Sequence, residues 1–189
     1  MRDRPTSPSL HTAWLNTPWR RWYPAAVARP AMSPAWWTWV ASRDSLTARL
    51  IAAADGRPFR VRLLDQRIGR PSNDEARALG LKPRERAWLR EVALCIDERP
   101  WVVARSVVPL AKLHGQRLDR LGERSLGHWL FRQPDLERGP IEVTQATAGF
   151  HDGHGPWGRR SMFHHGRFAV LVQEFFLDTM AAELSLPPR

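Results

Sequence analysis

Arg167-Phe168-Ala169-Val170-Leu171-Val172-Gln173-Glu174-Phe175-Phe176-Leu177-Asp178 is almost wholly apolar, yet one carboxylate, Glu174, stands near its middle. A strand apolar on both sides is buried on both faces. An ionised carboxylate in such a place costs several kcal/mol unless it is paired or protonated. Something must therefore compensate Glu174.

Working outward, Trp157–Phe163 pairs with this strand as a hairpin turning at His164-His165-Gly166. Ala87–Ile96 and Trp101–Pro109 form a second hairpin through Asp97-Glu98-Arg99-Pro100. Trp88, Arg90, Val92 and Leu94 share one face of its first strand, and Trp101, Val103, Arg105 and Val107 share one face of its second. Arg90 and Arg105 are thus lone cations on apolar faces, and the hairpin is expected to bring them together.

Phe59, Val61 and Leu63 alternate with Arg60, Arg62 and Leu64 as a half-buried strand, and Ile141 with Val143 begins another. Ser33-Pro34 starts a helix, with Ser as cap and Pro in the first turn. Ser42 or Asp44 caps a second helix through Leu46, Leu50 and Ile51, which ends near Asp55-Gly56. A short helix is expected around Asp74–Leu79, and residues 110–132 read as helix and loop. The fold class is α+β: a single domain at 33–189 with an antiparallel sheet, after an irregular Pro-, Trp- and Arg-rich arm at 1–32.

The chain has 189 residues, 43% of them hydrophobic, with ten Trp and one Cys. That suits one domain with a sizeable core. A single Cys excludes an internal disulfide and a Cys-based zinc site. The net charge of +10 favours anionic partners, but no run of five or more Lys or Arg marks a nucleic-acid tail, so none is expected. No apolar run reaches the roughly 18 residues of a membrane span. The cytoplasm is the expected location, and stable membrane insertion is not expected.

Glu174, Arg90 and Arg105 admit two readings. They form a structural ion cluster, or they line a pocket in which arginines hold carboxylates by two-point hydrogen bonds and a glutamate handles a hydroxyl or a proton. His151, Asp152, His154, His164 and His165 fall in a Gly-rich loop and a hairpin tip rather than at helical metal-ligand spacing. No metal is expected, and no phosphate-binding loop or nucleophile elbow is present.

Trp88-Leu89-Arg90-Glu91-Val92-Ala93-Leu94-Cys95, then Pro100-Trp101 and Ala104-Arg105-Ser106-Val107-Val108-Pro109, resembles the central hairpin of chorismate lyase. Leu121-Gly122, Ser125-Leu126-Gly127, Leu130-Phe131, Trp157-Gly158-Arg159-Arg160-Ser161 and Val172-Gln173-Glu174-Phe175-Phe176-Leu177 continue the resemblance in order. It covers roughly residues 33–178. Each motif alone is weak, and their order and spacing make the likeness specific.

The resemblance implies a six-stranded antiparallel sheet with helices packed on it and helical flaps over an internal ligand site. It implies a cofactor-free enzyme that converts chorismate to 4-hydroxybenzoate and pyruvate for ubiquinone synthesis, and a monomer is expected. By the same resemblance, Arg90 matches the arginine that grips the ring carboxylate, and Leu126 a position whose backbone N–H helps hold it. Glu174 matches the glutamate near the ring hydroxyl. Arg105 matches a second basic residue, suited to the enolpyruvyl carboxylate and to charge stabilisation. Leu46 falls at a flap position where the family can have methionine.

The loop 149–156 and the N-terminal arm are longer than the resemblance leads one to expect. The Trp- and Arg-rich arm is suited to a weak contact with a membrane surface. The alternative is a non-catalytic sensing module, since the same fold serves as the ligand-sensing domain of certain bacterial transcription regulators. Those place a winged helix-turn-helix ahead of it, for which residues 1–32 are too short and Pro-rich.

Overall fold

The computed structural model describes residues 20–113, 118, 122 and 126–188. Trp14 and Trp19 of the expected arm lie outside them, as do Leu121 and Ser125.

Among the described residues eight strands form one antiparallel sheet: β1 (Tyr23–Pro24), β2 (Phe59–Gly69), β3 (Ala87–Ile96), β4 (Arg99–Pro109), β5 (Glu137–Arg138), β6 (Glu142–Thr144), β7 (Trp157–His165) and β8 (Phe168–Phe176). Their order is β1-β6-β7-β8-β4-β3-β2, with β5 pairing β7 beyond β6. The expected count of six is corrected to eight. The additions are two-residue ladders, β1 and β5, too short to show an alternating pattern. Residues 20–32, read as irregular, contain β1, the helix α1 (Ala25–Ala28) and a turn of 3-10 helix at Arg29–Ala31.

The register of the β3–β4 hairpin decides which side chains meet. The turn pairs Ile96 with Arg99 and Cys95 with Pro100, and continued without interruption it would set Arg90 opposite Arg105. Instead Leu94 pairs with Val102, because Trp101 is an extra residue in β4. A bulge of one residue turns everything beyond it to the other face. Arg90 therefore faces Ser106, and Arg105 faces Glu91. The expectation that Arg90 and Arg105 share a face is corrected on this ground, and so is the grouping of Trp101 with Val103 and Arg105.

On one face of the sheet lie the helices α2 (Pro34–Val40), α3 (Leu46–Ala53), α5 (Leu126–Leu130) and α6 (Asp178–Glu183). They pack through Trp36, Trp39, Leu50, Leu126, Leu130 and Met180 onto Leu94, Trp101, Val102, Trp157, Phe163 and Phe176. The Ser33 hydroxyl caps α2 by accepting from the Trp36 N–H. Ser45, rather than Ser42 or Asp44, caps α3 by accepting from the Ala48 N–H, while the Ser42 hydroxyl donates to Asp44. The opposite face is covered by α4 (Asn73–Ala78), Trp22, Ala148 and Phe150. Gly155 lets the loop 149–156 cross the end of β8, since a Cβ there would collide with the Phe176 carbonyl oxygen.

Candidate active site

On the helix-covered face, β3, β4 and β8 enclose a cavity with α3 and α5. Arg90, Val92 and Leu94 of β3, Ala104 and Ser106 of β4, and Val172 and Glu174 of β8 form its floor. Ser45, Leu46 and Thr47 close it from α3, and Leu126, Gly127 and Leu130 from α5, with Phe131 and Phe163 at the side. Its volume is ≈ 50 Å³. The helices α3 and α5 touch one another above it.

Arg90 stands at one end of this floor, 2% exposed. Its guanidinium donates to the Gln66 side-chain oxygen at 2.8 Å and to the Gly122 carbonyl at 2.6 Å. Burial pushes it below the ordinary arginine value. Glu174 stands at the other end. Ser106 links the two, opposite Arg90 on β3 and opposite Val172 on β8. Two strand spacings and two residues of rise separate the Arg90 and Glu174 Cα atoms by roughly 12 Å. A small ring fits between side chains converging from those positions, with a cation at one end and a carboxylate at the other.

Glu174 is held by Arg159, its direct cross-strand neighbour on β7, through Nε to Oε2 at 2.6 Å. Arg159 is 1% exposed and donates through Nη1 to the carbonyls of Trp39 at 2.9 Å, Val40 at 3.3 Å and Ser42 at 2.9 Å. Those carbonyls belong to the end of α2 and the residues just after it, where the helix leaves acceptors unsatisfied and favours positive charge. One arginine thus fixes the carboxylate, the end of α2 and the approach to α3.

Arg105 is not part of this cavity. On the other face its guanidinium donates to Glu75 on α4, at 2.7 Å through Nε and 3.1 Å through Nη2, and to Glu91 beside it on β3. Gln173 donates to Glu75 at 2.6 Å. Arg105 is 5% exposed and Glu75 1%. Burial pushes the Glu75 carboxyl up, but Arg105, the Ser72 N–H and Gln173 outweigh it and hold the carboxyl below its ordinary value. Burial pushes the Glu91 carboxyl above its ordinary value despite Arg105 and Arg67. The structure therefore brings Arg90, Glu174, Leu126 and Leu46 together and leaves Arg105 in a closed ion cluster behind the sheet.

Sequence reading assigned no role to Arg159: it set the turn at His164-His165-Gly166, whereas the hairpin turns at Gly166-Arg167, and only that register puts Arg159 opposite Glu174. Glu75 carried no comparable signal, since helix α4 brings it to the sheet from far along the chain. In the histidine-bearing loop the His151 ring accepts a hydrogen bond from the Gly153 N–H at 2.8 Å. Among the described residues no group of three or more His, Cys, Asp or Glu is placed to hold a metal ion, and no helix is long and apolar enough to cross a membrane.

The family described as Chorismate lyase matches residues 20–182. The probable chorismate pyruvate-lyase of Chromohalobacter salexigens is 60% identical over 176 residues, which is 90% of this chain and 96% of that protein. That of Marinobacter nauticus is 40% identical over 172 residues, 88% of this chain and 90% of that one. Among solved structures, the effector domain of PhnF from Mycobacterium smegmatis superimposes with a TM-score of 0.49 at 15% identity, covering 68% of this chain and 86% of that one.

Proposed function

We propose, from the premise that this chain belongs to the chorismate lyase family, that it eliminates pyruvate from chorismate and leaves 4-hydroxybenzoate. The observation that carries this reading is the single cavity floor with Arg90 at one end and Glu174 at the other. The product has the same polarity, a carboxylate on one side of the ring and a hydroxyl opposite.

In this reading the Arg90 guanidinium grips the ring carboxylate as a planar, two-point donor. The backbone N–H of Leu126 adds a second donor, since Leu126 opens α5 and its N–H has no partner within the helix. Leu46 closes the site over the ring. Glu174, anchored by Arg159, accepts a hydrogen bond from the C4 hydroxyl and fixes which face of the ring is presented. The elimination breaks the bond from C3 to the enolpyruvyl oxygen and removes the C4 proton, which the departing enolpyruvyl group takes up as it becomes pyruvate. Aromatisation of the ring supplies much of the driving force. The protein's part is to orient the ring, exclude water and stabilise charge on the departing oxygen. No cofactor enters such a reaction. We assign Arg105 no part in it.

A cavity of ≈ 50 Å³ is well below the roughly 300 Å³ at the low end of ligand pockets. Entry therefore requires α3 and α5 to part, which makes them the helical flaps of the site. A product held by buried Arg90 at one end and half-buried Glu174 at the other leaves slowly through such a door. The remaining proposals are that the chain acts as a monomer in the cytoplasm, without nucleic acid, and supplies ubiquinone synthesis.

The test is purified protein with chorismate and no added metal or cofactor, followed by chromatography for 4-hydroxybenzoate. Product formation that Arg90→Met abolishes is the expected result. Clean binding of 4-hydroxybenzoate with no turnover of chorismate would overturn the lyase reading in favour of a binding module.

A further inference from the structure

Chorismate carries a second carboxylate, on the enolpyruvyl group that leaves, and Arg90 at the far end cannot serve it. That group is attached at C3, beside the C4 that bears the hydroxyl, so its carboxylate falls at the Glu174 end of the cavity. Two arginines stand there. Arg159 is committed, with Nε on Glu174 and Nη1 on three carbonyls.

The other is Arg138 on β5. Its Cα pairs with that of Phe163, so it rises from the same face of the sheet. Its guanidinium lies over the Phe163 ring, 5.1 Å from the centroid, and Phe163 is cavity wall. Nε donates to the Ser161 hydroxyl at 3.2 Å and Nη1 to the Ser42 carbonyl at 3.2 Å. Both acceptors are uncharged, and among the described residues no carboxylate forms an ion pair with Arg138. Ser161 faces Val172, the neighbour of Glu174 along the cavity floor. Burial and the nearby Arg159 lower its pKa to about 10, with Glu174 and Asp44 opposing. Apart from burial, the charges around it are Arg159 and Arg43 against Glu174 and Asp44, so with Arg138 itself three cations face two carboxylates and an added anion is favoured there.

We propose that Arg138 receives the second carboxylate of the dianionic substrate, making it the residue that distinguishes chorismate from the monoanionic product. The inference rests on the lyase reading. It gives product release a physical basis, because after elimination only the contacts at Arg90 and Glu174 remain to hold the ring. It also fits the small closed cavity. Ser42 O is shared by Arg138 and Arg159, so the loop that carries Ser45, Leu46 and Thr47 is latched at the point where the second carboxylate enters.

The experiment measures KM for chorismate and Kd for 4-hydroxybenzoate on wild type, Arg138→Met and Arg138→Lys. A lost charged contact raises the chorismate KM of Arg138→Met by about 10- to 100-fold, leaves the 4-hydroxybenzoate Kd within about threefold, and is partly repaired in Arg138→Lys. Equal weakening of both ligands would make Arg138 a latch on the α2–α3 loop and overturn the inference. An unchanged KM would overturn it too, while leaving the lyase reading intact. Should Arg138→Met fail to fold, Arg138→Lys decides by the same ratio of KM to Kd. If wild type neither binds nor converts chorismate, the lyase reading and this inference fall together.

Discussion

The two faces of the central sheet treat the same residue type in opposite ways. Behind the sheet, Arg105 is enclosed by Glu75, Glu91 and Gln173 with its donors already engaged by protein carboxylates. Beneath the helices, Arg90 leans on the neutral oxygens of Gln66 and Gly122 at the edge of a cavity whose far end presents Glu174. A buried cation needs an acceptor in either place. Where the protein supplies it as a carboxylate, the result is a closed structural cluster. Where the guanidinium stands at the edge of a cavity, it is also within reach of a small anion that enters. A single bulge residue, Trp101, decides which arginine has which fate.

The largest expected effect comes from breaking the closed face. Arg105→Met strands two buried carboxylates, and loss of one partner of a buried pair destabilises by about 3–5 kcal/mol. Urea unfolding should show the midpoint falling sharply. Arg90→Met leaves the Gln66 side chain and the Gly122 carbonyl, both neutral, and should lower stability by less, while reducing chorismate kcat/KM by about 100-fold or more, as two charged hydrogen bonds are lost. A stability loss in Arg90→Met as large as that in Arg105→Met would erase the distinction between the faces.

The two carboxylates of the closed cluster give the comparison a pH signature. Glu75 has a folded pKa below the ordinary 4.5. It therefore adds stability that is present above that value and lost as pH falls through its folded pKa. Glu91 has a folded pKa above 4.5. Its folded form binds the proton more tightly, so from its side stability rises as pH falls through the folded value towards 4.5. Unfolding free energy measured against pH should rise slightly on mild acidification and then drop. Glu75→Gln should flatten the drop and Glu91→Gln the rise. An unchanged curve in both variants would place these titrations elsewhere.

The smallest effect is expected at Leu46. Leu-to-Met swaps that conserve volume disturb packing by less than about 1.5 kcal/mol. Leu46→Met should therefore leave kcat/KM within about tenfold. A larger loss, measured by steady-state kinetics, would mean that the Leu46 side chain shapes the ring pocket in its own right.

Much of this was legible in the sequence. The alternation in Phe59–Leu64, the two hairpins and the Ser33-Pro34 helix start all reflect local chemistry, and each is present, although the hairpins turn at Asp97-Glu98 and Gly166-Arg167 rather than at Asp97–Pro100 and His164–Gly166. Arg90 and Glu174 were legible because a charge in an apolar strand demands an explanation. The fate of Arg105 was not. Turn geometry alone sets it opposite Arg90, and only the bulge, settled by the packing of Trp101 among Trp36, Val102 and Phe176, turns it away. Arg138 was equally hidden. A two-residue strand has no period, and its Ser42 contact joins residues 96 apart in the chain.

The most direct test of the two-face account is chorismate turnover per folded molecule in Arg90→Met and Arg105→Met, assayed side by side at a temperature where both retain native protein. The account predicts that Arg90→Met loses about 100-fold or more while Arg105→Met, corrected for its folded fraction, stays within about threefold of wild type. The reverse pattern, a native Arg105→Met that cannot turn over chorismate beside an active Arg90→Met, would contradict it and move the chemistry to the other face of the sheet.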